Sequence, residues 1–406
     1  MQLFLFFHIV IIRTVDWSVD IMARNQKTRK RKMTKTRYFD YSMLAVLIFL
    51  ICFGLVMLYS TSSYSALVTY GDSMHYFKRQ LIFCVMGLIV IYVVAKIDYH
   101  IYIKWAKPLY IVSVFLMMLV KTPLGKEVNG AKRWIQLPFD QQFQSAEVAK
   151  IAIILFIPVL ICKMGKEIKT LGGIAKILAW GAFSAACVLF LTDNLSTAII
   201  VMGITCIMVF VVHPKTAPFI VLFTAGMGVV LVAVQILGRV LVTSENFRLR
   251  RILVWLAPED HAAEGGYQIM QALYAIGSGG FFGKGLGNSA QKMIIPEVQN
   301  DMILSIICEE LGIFGAIMVL VLFGMLLYRL LFIAQNAPDI YGSLIVTGIF
   351  AHIAIQVILN VAVVINLIPT TGITLPFISY GGTSILFLTI EMGIALGVSR
   401  KIKFED

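Results

Sequence analysis

The sequence predicts an all-α polytopic membrane protein with about ten transmembrane helices. Three observations indicate this class: 59% of the 406 residues are hydrophobic, only 14% are charged, and the mean hydropathy is +0.87. Soluble globular chains carry about 25% charged residues, so this composition lies well outside their range. The high mean hydropathy reflects long apolar segments: runs of about 20 apolar residues, long enough to cross a bilayer, recur along the chain.

Ten such runs are predicted, with polar or basic connections between them. In chain order they cover 42–63, 78–96, 107–121, 147–163, 173–191, 194–212, 217–237, 302–328, 341–368 and 379–398. The chain is thus divided into a basic tail at 1–37, a ten-span membrane domain at 38–400 and a short C-terminal tail at 401–406. A long loop, 238–301, separates spans seven and eight, and no connection is long enough to form an independent soluble domain.

The distribution of the net charge of +12 sets the predicted orientation. Eight Lys and Arg residues lie in the tail RNQKTRKRKMTKTR, and others follow in the second loop, the fourth loop and the C-terminal SRKIK. These segments share one side of the membrane if ten spans alternate, so the positive-inside rule makes both termini cytoplasmic. The tail is interpreted as an orientation signal near anionic membrane lipid, and no nucleic-acid partner is expected.

Neither the cysteines nor the glycine-rich part of the long loop indicates a bound cofactor. All six cysteines lie in or beside predicted spans without a CxxC pair, so we expect no disulfides and no metal cluster. The stretch GKGLGN lacks the GK[ST] ending and the preceding strand of a phosphate-binding loop. Its glycines are predicted to allow tight turns and close approach to a ligand.

Basic residues in the two long outer loops run against the topological bias. The first loop carries NGAKRWI, and the second carries FRLRRILVWLAP, a mixture of Arg and large apolar residues that suits a short interfacial helix. An anionic ligand at the outer leaflet is the simplest explanation, and ordinary surface charge is the alternative. The candidate ligand-binding residues in these loops are Lys132, Arg133, Trp134, Arg248 and Arg251.

Ionisable residues within predicted spans are costly and commonly line polar cavities. Glu147 and Lys150 are three residues apart at the outer end of span four, so one helical face can hold both, either as a ligand site or as a neutralised structural pair. In span eight, Asp301 lies at the outer mouth and Glu309 about 12 Å deeper, at a rise of about 1.5 Å per residue.

The last two predicted spans also carry polar residues. His352, Gln356 and Asn360 recur at every fourth residue of span nine, a spacing that favours interhelical hydrogen bonds over chemistry. Glu391 in span ten is an isolated intramembrane carboxylate for which the sequence indicates no role.

Several stretches together resemble the SEDS family of polytopic cell-wall polymerases, which includes FtsW, RodA and SpoVE. The resemblance covers residues 38–400 and is specific in combination. The matching stretches are NGAKRWI, QSAEVAKIA, FRLRRILVWLAP, GGYQIMQALYAIGSGGFFGKGLGNSAQK, PEVQNDMILSIICEELGIFG and LIPTTGITLPFISYGGTS. Within the family, QNDMI and TTGITLPFISYGGTS look more like the FtsW/SpoVE branch than RodA.

The resemblance implies a peptidoglycan glycosyltransferase that joins lipid II units into glycan strands at the outer face of the plasma membrane. It also implies a class B penicillin-binding protein as transpeptidase partner, further divisome proteins, and location at the division septum. The family's essential aspartate falls on Asp301, within its Pro-Glu-x-x-x-Asp motif. Its other site positions fall on Arg133, Trp134, Glu147, Lys150, Arg248 and Arg251.

One departure from the family pattern concerns the start of span six. Where the family usually shows Pro-Asp-x-Gly-Thr, this chain reads DNLSTA, so the family's Asp position is Asn194 and Asp193 precedes it. Glu391 is a second departure, because the family more often has a small residue there.

The implied chemistry requires a base and cations. A sugar hydroxyl is a poor nucleophile, so Asp301 is the candidate general base, and neighbouring basic residues are expected to hold its pKa down. Cationic side chains can stabilise the leaving pyrophosphate, and the candidates are Lys132, Arg133, Lys150, Arg248 and Arg251. Glu297 is a candidate for orienting Asp301 or the acceptor sugar, with a helix-dipole role as the alternative. A divalent cation could assist, although the sequence shows no dedicated metal site and no other cofactor.

Two rival functions use some of the same features. A lipid II flippase would also suit basic outer loops and buried Glu and Lys groups, but it requires essential charges near the midplane. A non-catalytic scaffold that only recruits divisome partners would leave Asp301 dispensable. The clustering of the candidate residues at the outer mouth favours the polymerase.

Overall fold

The predicted fold class is confirmed by the computed structural model. It describes residues 38–128, 131–136, 142–214, 219–221, 224–226, 228, 247–262 and 265–403. Within these residues, eight helices are long and apolar enough to cross a membrane, and a further apolar helix is shorter. The N-terminal tail, about two thirds of the predicted seventh span and residues 238–246 of the long loop lie outside the described part of the chain.

The helices follow the predicted order. In the first half they are α1 Tyr41–Tyr70, α2 His75–Val94, α3 Ile101–Leu119, α4 Ser145–Met164, α5 Leu171–Leu191 and α6 Leu195–Val212. In the second half they are α7 Phe247–Leu256, α8 Gly266–Gly279, α9 Ile303–Asn336, α10 Ile340–Val364 and α11 Thr383–Ser399. α7 and α8 are the short helices of the long loop, and the interfacial helix predicted from FRLRRILVWLAP corresponds to α7.

α4 and α10 form the centre of the bundle. Both are buried along most of their length, whereas α2 and α3 lie at the periphery with most of their apolar side chains exposed. α10 packs against α4, α6 and α9, and α11 packs against α2. Because lipid acyl chains are as apolar as these side chains, the exposed faces of α2 and α3 are expected to contact lipid.

A small antiparallel sheet interrupts the helices between α3 and α4. Its strands are β1 Gly125–Val128, β2 Ala131–Gln136 and β3 Gln142–Gln144, in the order β1-β2-β3. β3 leads directly into α4, and Trp134 of β2 lies opposite Gln144 of β3. The helical fold class holds, but this sheet was not predicted.

α9 is broken at Gly312, where the backbone adopts φ 69° and ψ −165°. The glycine-rich loop after α8 fills the break: the N–H groups of Lys284 and Gly285 donate to the carbonyls of Glu309 and Glu310 at 2.9 Å. A Cβ at Gly312 would come within 2.5 Å of the Gly283 nitrogen. The glycines therefore allow tight turns and a close approach of this loop to α9. Backbone groups released by the break are satisfied within the protein, as the bilayer requires.

Candidate active site

The site is built on an irregular segment between α10 and α11. The predicted ninth span continued to residue 368, but α10 ends at Val364 and the stretch 366–374 has no regular structure. Three side chains from distant parts of the chain hold it in place. Trp255 Nε1 donates to the Asn366 carbonyl at 3.0 Å, Arg251 Nη1 to the Thr370 carbonyl at 3.2 Å, and Ser196 Oγ to the Thr371 carbonyl at 3.0 Å.

Asn360 joins this segment to the start of α9. Its Nδ2 atom donates to the Asp301 carbonyl at 2.8 Å and to the Ile373 carbonyl at 2.7 Å. Gly372 has φ +67° and a Cβ placed there would lie 3.9 Å from Asp301 Oδ2. The Asp301 carboxylate therefore lies beside the Gly372 backbone, at a position where the left-handed conformation favours glycine.

Asp301 is partly buried just before the first residue of α9. Burial raises the pKa of Asp301 to about 6, and the nearby charge of Glu297 acts in the same direction. The Arg251 charge and the main-chain N–H groups of Asp301 and Met302 lower this pKa, but they do not offset burial. The expectation that basic neighbours hold the Asp301 pKa down is therefore wrong in its net result, because desolvation of the carboxylate exceeds their attraction.

Glu297 lies in the turn that precedes Asp301. It is exposed, its backbone has φ 46°, and its Oε2 accepts a hydrogen bond from Asn300 Nδ2 at 3.2 Å. Since α9 begins only at Ile303, Glu297 is outside the first turn of that helix, and the helix dipole does not account for it. Its electrostatic effect on Asp301 is the relation that the structure supports.

Helix α7 brings the described side chain of Arg251 close to the segment 366–374. Arg251 is partly buried between the Thr370 carbonyl and the charge of Asp301. The backbone of Arg248 lies one turn earlier on α7, and its side chain is outside the described part of the structure. The guanidinium of Arg251 is thus within the electrostatic reach of the candidate base.

Lys132, Arg133 and Trp134 lie together on β2 and are partly buried. Arg133 Nη2 donates to the Asp193 carbonyl at 3.1 Å, and Lys121 Nζ forms an ion pair with Asp193 Oδ2 at 2.9 Å. Two basic side chains therefore converge on Asp193, which precedes the N-cap residue of α6.

The start of α6 connects the basic residues of β2 to the segment beside Asp301. Asp193 is followed, three residues later, by Ser196, which donates to the Thr371 carbonyl next to Gly372 and Asp301. Asn194 Oδ1 accepts from the Thr197 N–H at 3.0 Å and caps α6. At the departure DNLSTA, Asn194 therefore caps α6, while Asp193 pairs through its carboxylate with Lys121 and through its main-chain carbonyl with Arg133.

Glu147 and Lys150 form a buried ion pair at the start of α4. Their charged groups are 2.9 Å apart, and their side chains are only 8% and 3% exposed. Because β3 leads directly into α4, this pair follows immediately after the strand that pairs with Trp134. Burying two charges carries a desolvation cost that their mutual attraction only partly offsets, so this pair is a candidate for a binding role as well as for a structural one.

Sequence reasoning located most of these residues but missed the segment 366–374 as the part that joins them. Asn360 and Gln356 do not bond between helices as predicted. They donate to the carbonyls of this segment, with Gln356 Nε2 reaching the Thr374 carbonyl at 3.0 Å. His352 does pair between helices, with Glu391. Pro369 and Gly372 were the signals in the sequence that could have ended span nine earlier.

The fold and site define a polytopic helical membrane protein with a polar, partly buried site at one end of its bundle. The chain belongs to the FtsW/RodA/SpoVE family of cell cycle proteins, whose family model matches residues 40–403.

Two relatives illustrate the similarity in sequence. The chain is 37% identical over 374 residues to stage V sporulation protein E of Bacillus subtilis, with 91% of this chain and 100% of that protein covered. It is 36% identical over 381 residues to a probable peptidoglycan glycosyltransferase FtsW of Trichlorobacter lovleyi, with 92% and 96% covered.

Solved structures show the same fold. A chain of a peptidoglycan synthase complex that coordinates polymerization and crosslinking superimposes with a TM-score of 0.73 at 26% identity, covering 90% of this chain and 98% of that one. RodA of Thermus thermophilus superimposes with a TM-score of 0.64 at 24% identity, covering 91% and 98%.

Proposed function

We propose that this protein is a peptidoglycan glycosyltransferase that polymerises lipid II at the outer face of the cytoplasmic membrane. The observation that carries the proposal is Asp301, a partly buried carboxylate with a raised pKa, placed beside Arg251 and continuous with the basic cluster on β2. The names of the related FtsW proteins, which describe probable peptidoglycan glycosyltransferases, support it.

Asp301 acts as the general base. The acceptor sugar hydroxyl attacks the anomeric carbon of the donor, its proton passes to the Asp301 carboxylate, and the bond from that carbon to the undecaprenyl pyrophosphate breaks. The pyrophosphate leaves with the bonding electrons. A carboxyl with a pKa of about 6 is mostly ionised at neutral pH and is still basic enough to take the proton, which is the balance that general-base catalysis favours.

The basic side chains stabilise the pyrophosphate as its negative charge develops. Arg251 lies within electrostatic reach of Asp301, and Arg133 and Lys132 are proposed to contribute from β2. Lys150 is already paired with Glu147, so its proposed contribution is shared between that carboxylate and the substrate. Arg248 and Trp134 are retained as proposed substrate contacts, and Glu297 as a residue that tunes Asp301.

A divalent cation would depend mainly on the substrate. Within the described residues, the His, Cys, Asp and Glu side chains form no group of three or more that could hold a metal ion. Mg²⁺ commonly binds through one or two carboxylates plus substrate phosphates, and a pyrophosphate next to Asp301 would suit that mode. Chelation by EDTA during the assay, followed by addition of Mg²⁺, tests the requirement.

The partner is proposed to be a class B penicillin-binding protein that crosslinks the new strands, with further divisome proteins at the division septum. The related chain in a peptidoglycan synthase complex supports the pairing of polymerisation with crosslinking. The resemblance to SpoVE and FtsW sequences supports septal synthesis, with both termini in the cytoplasm as the distribution of basic residues predicts.

The test is a polymerisation assay with purified protein, its transpeptidase partner and labelled lipid II, in which glycan strands are separated on a gel. Asp301→Asn should lower the rate by about 10²- to 10⁴-fold, the usual contribution of a general base. Asp72→Asn is the matched control, because the Asp72 side chain is 43% exposed, accepts from the Met74 N–H and forms a surface ion pair with Lys78. Glycan strand synthesis by Asp301→Asn at the wild-type rate would contradict the assignment of Asp301 as the base. Lipid II translocation without any polymer from the wild type would favour the flippase.

A further inference from the structure

A buried acid–imidazole pair lies inside the bundle, away from the residues proposed for catalysis. Glu391 of α11 and His352 of α10 are 1% and 0% exposed, and Glu391 Oε2 is 2.7 Å from His352 Nδ1. The other ring nitrogen, His352 Nε2, is 2.8 Å from Gln356 Oε1. These three side chains form one hydrogen-bonded chain across two helices.

The hydrogen bonds of Gln356 determine which atoms of this series carry hydrogens. Gln356 Nε2 donates to the Thr374 carbonyl at 3.0 Å, and a carbonyl oxygen can only accept. The amide group of Gln356 is thereby oriented with Oε1 towards the imidazole. Since Oε1 also only accepts, His352 Nε2 must carry a hydrogen. The opposite amide orientation would place two acceptors against each other at the Thr374 carbonyl.

The remaining contact, from Nδ1 to Glu391 Oε2, then requires one more hydrogen. It can lie on Nδ1, which gives an imidazolium and a carboxylate, or on Oε2, which gives a neutral imidazole and a carboxylic acid. In both cases the pair is neutral overall, so the bundle interior holds no net charge there. An ionised Glu391 beside a neutral imidazole protonated only at Nε2 would place two acceptors 2.7 Å apart.

We propose that Glu391 and His352 hold one proton between them, and that the chain through Gln356 positions the 370–374 segment against Asp301. The proposal rests on the function proposed above and makes Glu391 and His352 positioning residues. Gln356 fixes the Thr374 carbonyl, Asn360 one turn later fixes the Ile373 and Asp301 carbonyls, and Gly372 lies beside the Asp301 carboxylate. A misplacement of about 1 Å at a reacting group can cost about a hundredfold in rate.

The first test observes the proton placement directly and does not depend on activity. The protein is labelled with ¹⁵N in its histidine rings and examined by NMR in lipid nanodiscs, and His352→Gln identifies the His352 signals by their loss. We expect Nε2 to show the signal of a protonated nitrogen. A neutral ring protonated only at Nδ1 would overturn the proposal.

The second test compares two replacements of Glu391 in the lipid II polymerisation assay. Glu391→Gln can still donate to Nδ1 and should keep kcat within about twofold, whereas Glu391→Leu should lower kcat by about tenfold or more with KM for lipid II little changed. Thr389→Val is the matched control on α11, because the buried Thr389 hydroxyl bonds only within its helix to Leu386 and its loss should leave kcat unchanged. Equal activity of the Gln and Leu variants would contradict the proposal.

Gln356→Leu provides an independent variant if Glu391→Leu does not fold. It removes the link to Thr374 and leaves the Glu391–His352 contact intact, so the proposal requires the same selective fall in kcat. Unchanged kcat in Gln356→Leu would overturn the positioning role even where the NMR signals agree. An inactive wild-type protein would instead contradict the proposed function, and the NMR result would stand separately.

Discussion

The carboxylates of PEVQNDMILSIICEELG lie in two regions with opposite environments. Glu309 and Glu310, within α9, are fully buried and have many partners. Glu309 binds Lys284 at 2.7 Å, the Ser289 hydroxyl and the N–H groups of Ala290 and Gln291, while Glu310 binds Ser60 at 2.7 Å and Lys292 at 3.3 Å.

Asp301 has a different environment at the mouth of the same helix. Within the described residues its carboxylate forms no ion pair, and only main-chain N–H groups bond to it while Arg251 attracts it from a greater distance. Its pKa is raised, whereas the deeper acids are neutralised by lysines of the glycine-rich loop. The number of partners, more than the depth of burial, thus distinguishes an acid that stabilises the fold from one that is free to accept a proton.

The largest effect on stability is expected from the Glu310–Lys292 pair. Glu310→Gln keeps the contact with Ser60 but leaves the Lys292 ammonium, which is only 7% exposed, without a counter-charge. The free energy of unfolding should fall by about 3–5 kcal/mol, measured by chemical unfolding in mixed micelles. The double variant Glu310→Gln with Lys292→Met should recover more than half of the loss. No recovery would show that the amide itself disrupts packing.

A smaller effect, on rate, is expected from pH. Asp301 must be ionised to accept a proton, and burial raises its pKa to about 6, so kcat/KM should be constant above that pH and fall by about tenfold for each unit below it. The residual activity of Asp301→Asn should lack this inflection. A wild-type profile that is flat down to pH 4.5 would indicate that Asp301 is not the base.

The smallest effect is expected where the buried acid keeps other donors. In Lys284→Met, Glu309 still accepts from Ser289, Ala290 and Gln291, and Lys284 is 38% exposed in the wild type. The free energy of unfolding should fall by about 1–3 kcal/mol, less than in Glu310→Gln. A loss larger than that of Glu310→Gln would reverse the order of the two pairs.

The sequence predicts the membrane helices and the position of Asp301 well, because both depend on local signals. Hydropathy marks the spans, and a carboxylate at the start of an apolar run is visible without a structure. The break at Gly312 and the irregular segment 366–374 depend instead on partners far along the chain. Arg251, Ser196 and Asn360 satisfy the carbonyls of that segment, and no local pattern indicates that they meet there.

The raised pKa of Asp301 could not be predicted for the same reason. The basic residues around it are visible in the sequence and suggest a lowered pKa, whereas the burial that outweighs them arises only when α7, α9 and the 366–374 segment pack together. The cost of burying a charge makes partners for Glu309 and Glu310 necessary, but the sequence does not show that these partners include lysines of the glycine-rich loop.

The most direct test of the comparison is one matched measurement on two acid-to-amide variants, Asp301→Asn and Glu310→Gln. Polymerisation rate per folded molecule and free energy of unfolding are measured for each in the same lipid nanodiscs. Asp301→Asn should lose the rate and keep or gain stability, since it removes a destabilised charge. Glu310→Gln should lose stability and keep most of its rate per folded molecule. Full activity in Asp301→Asn, or loss of rate without loss of stability in Glu310→Gln, would contradict the division between the two regions.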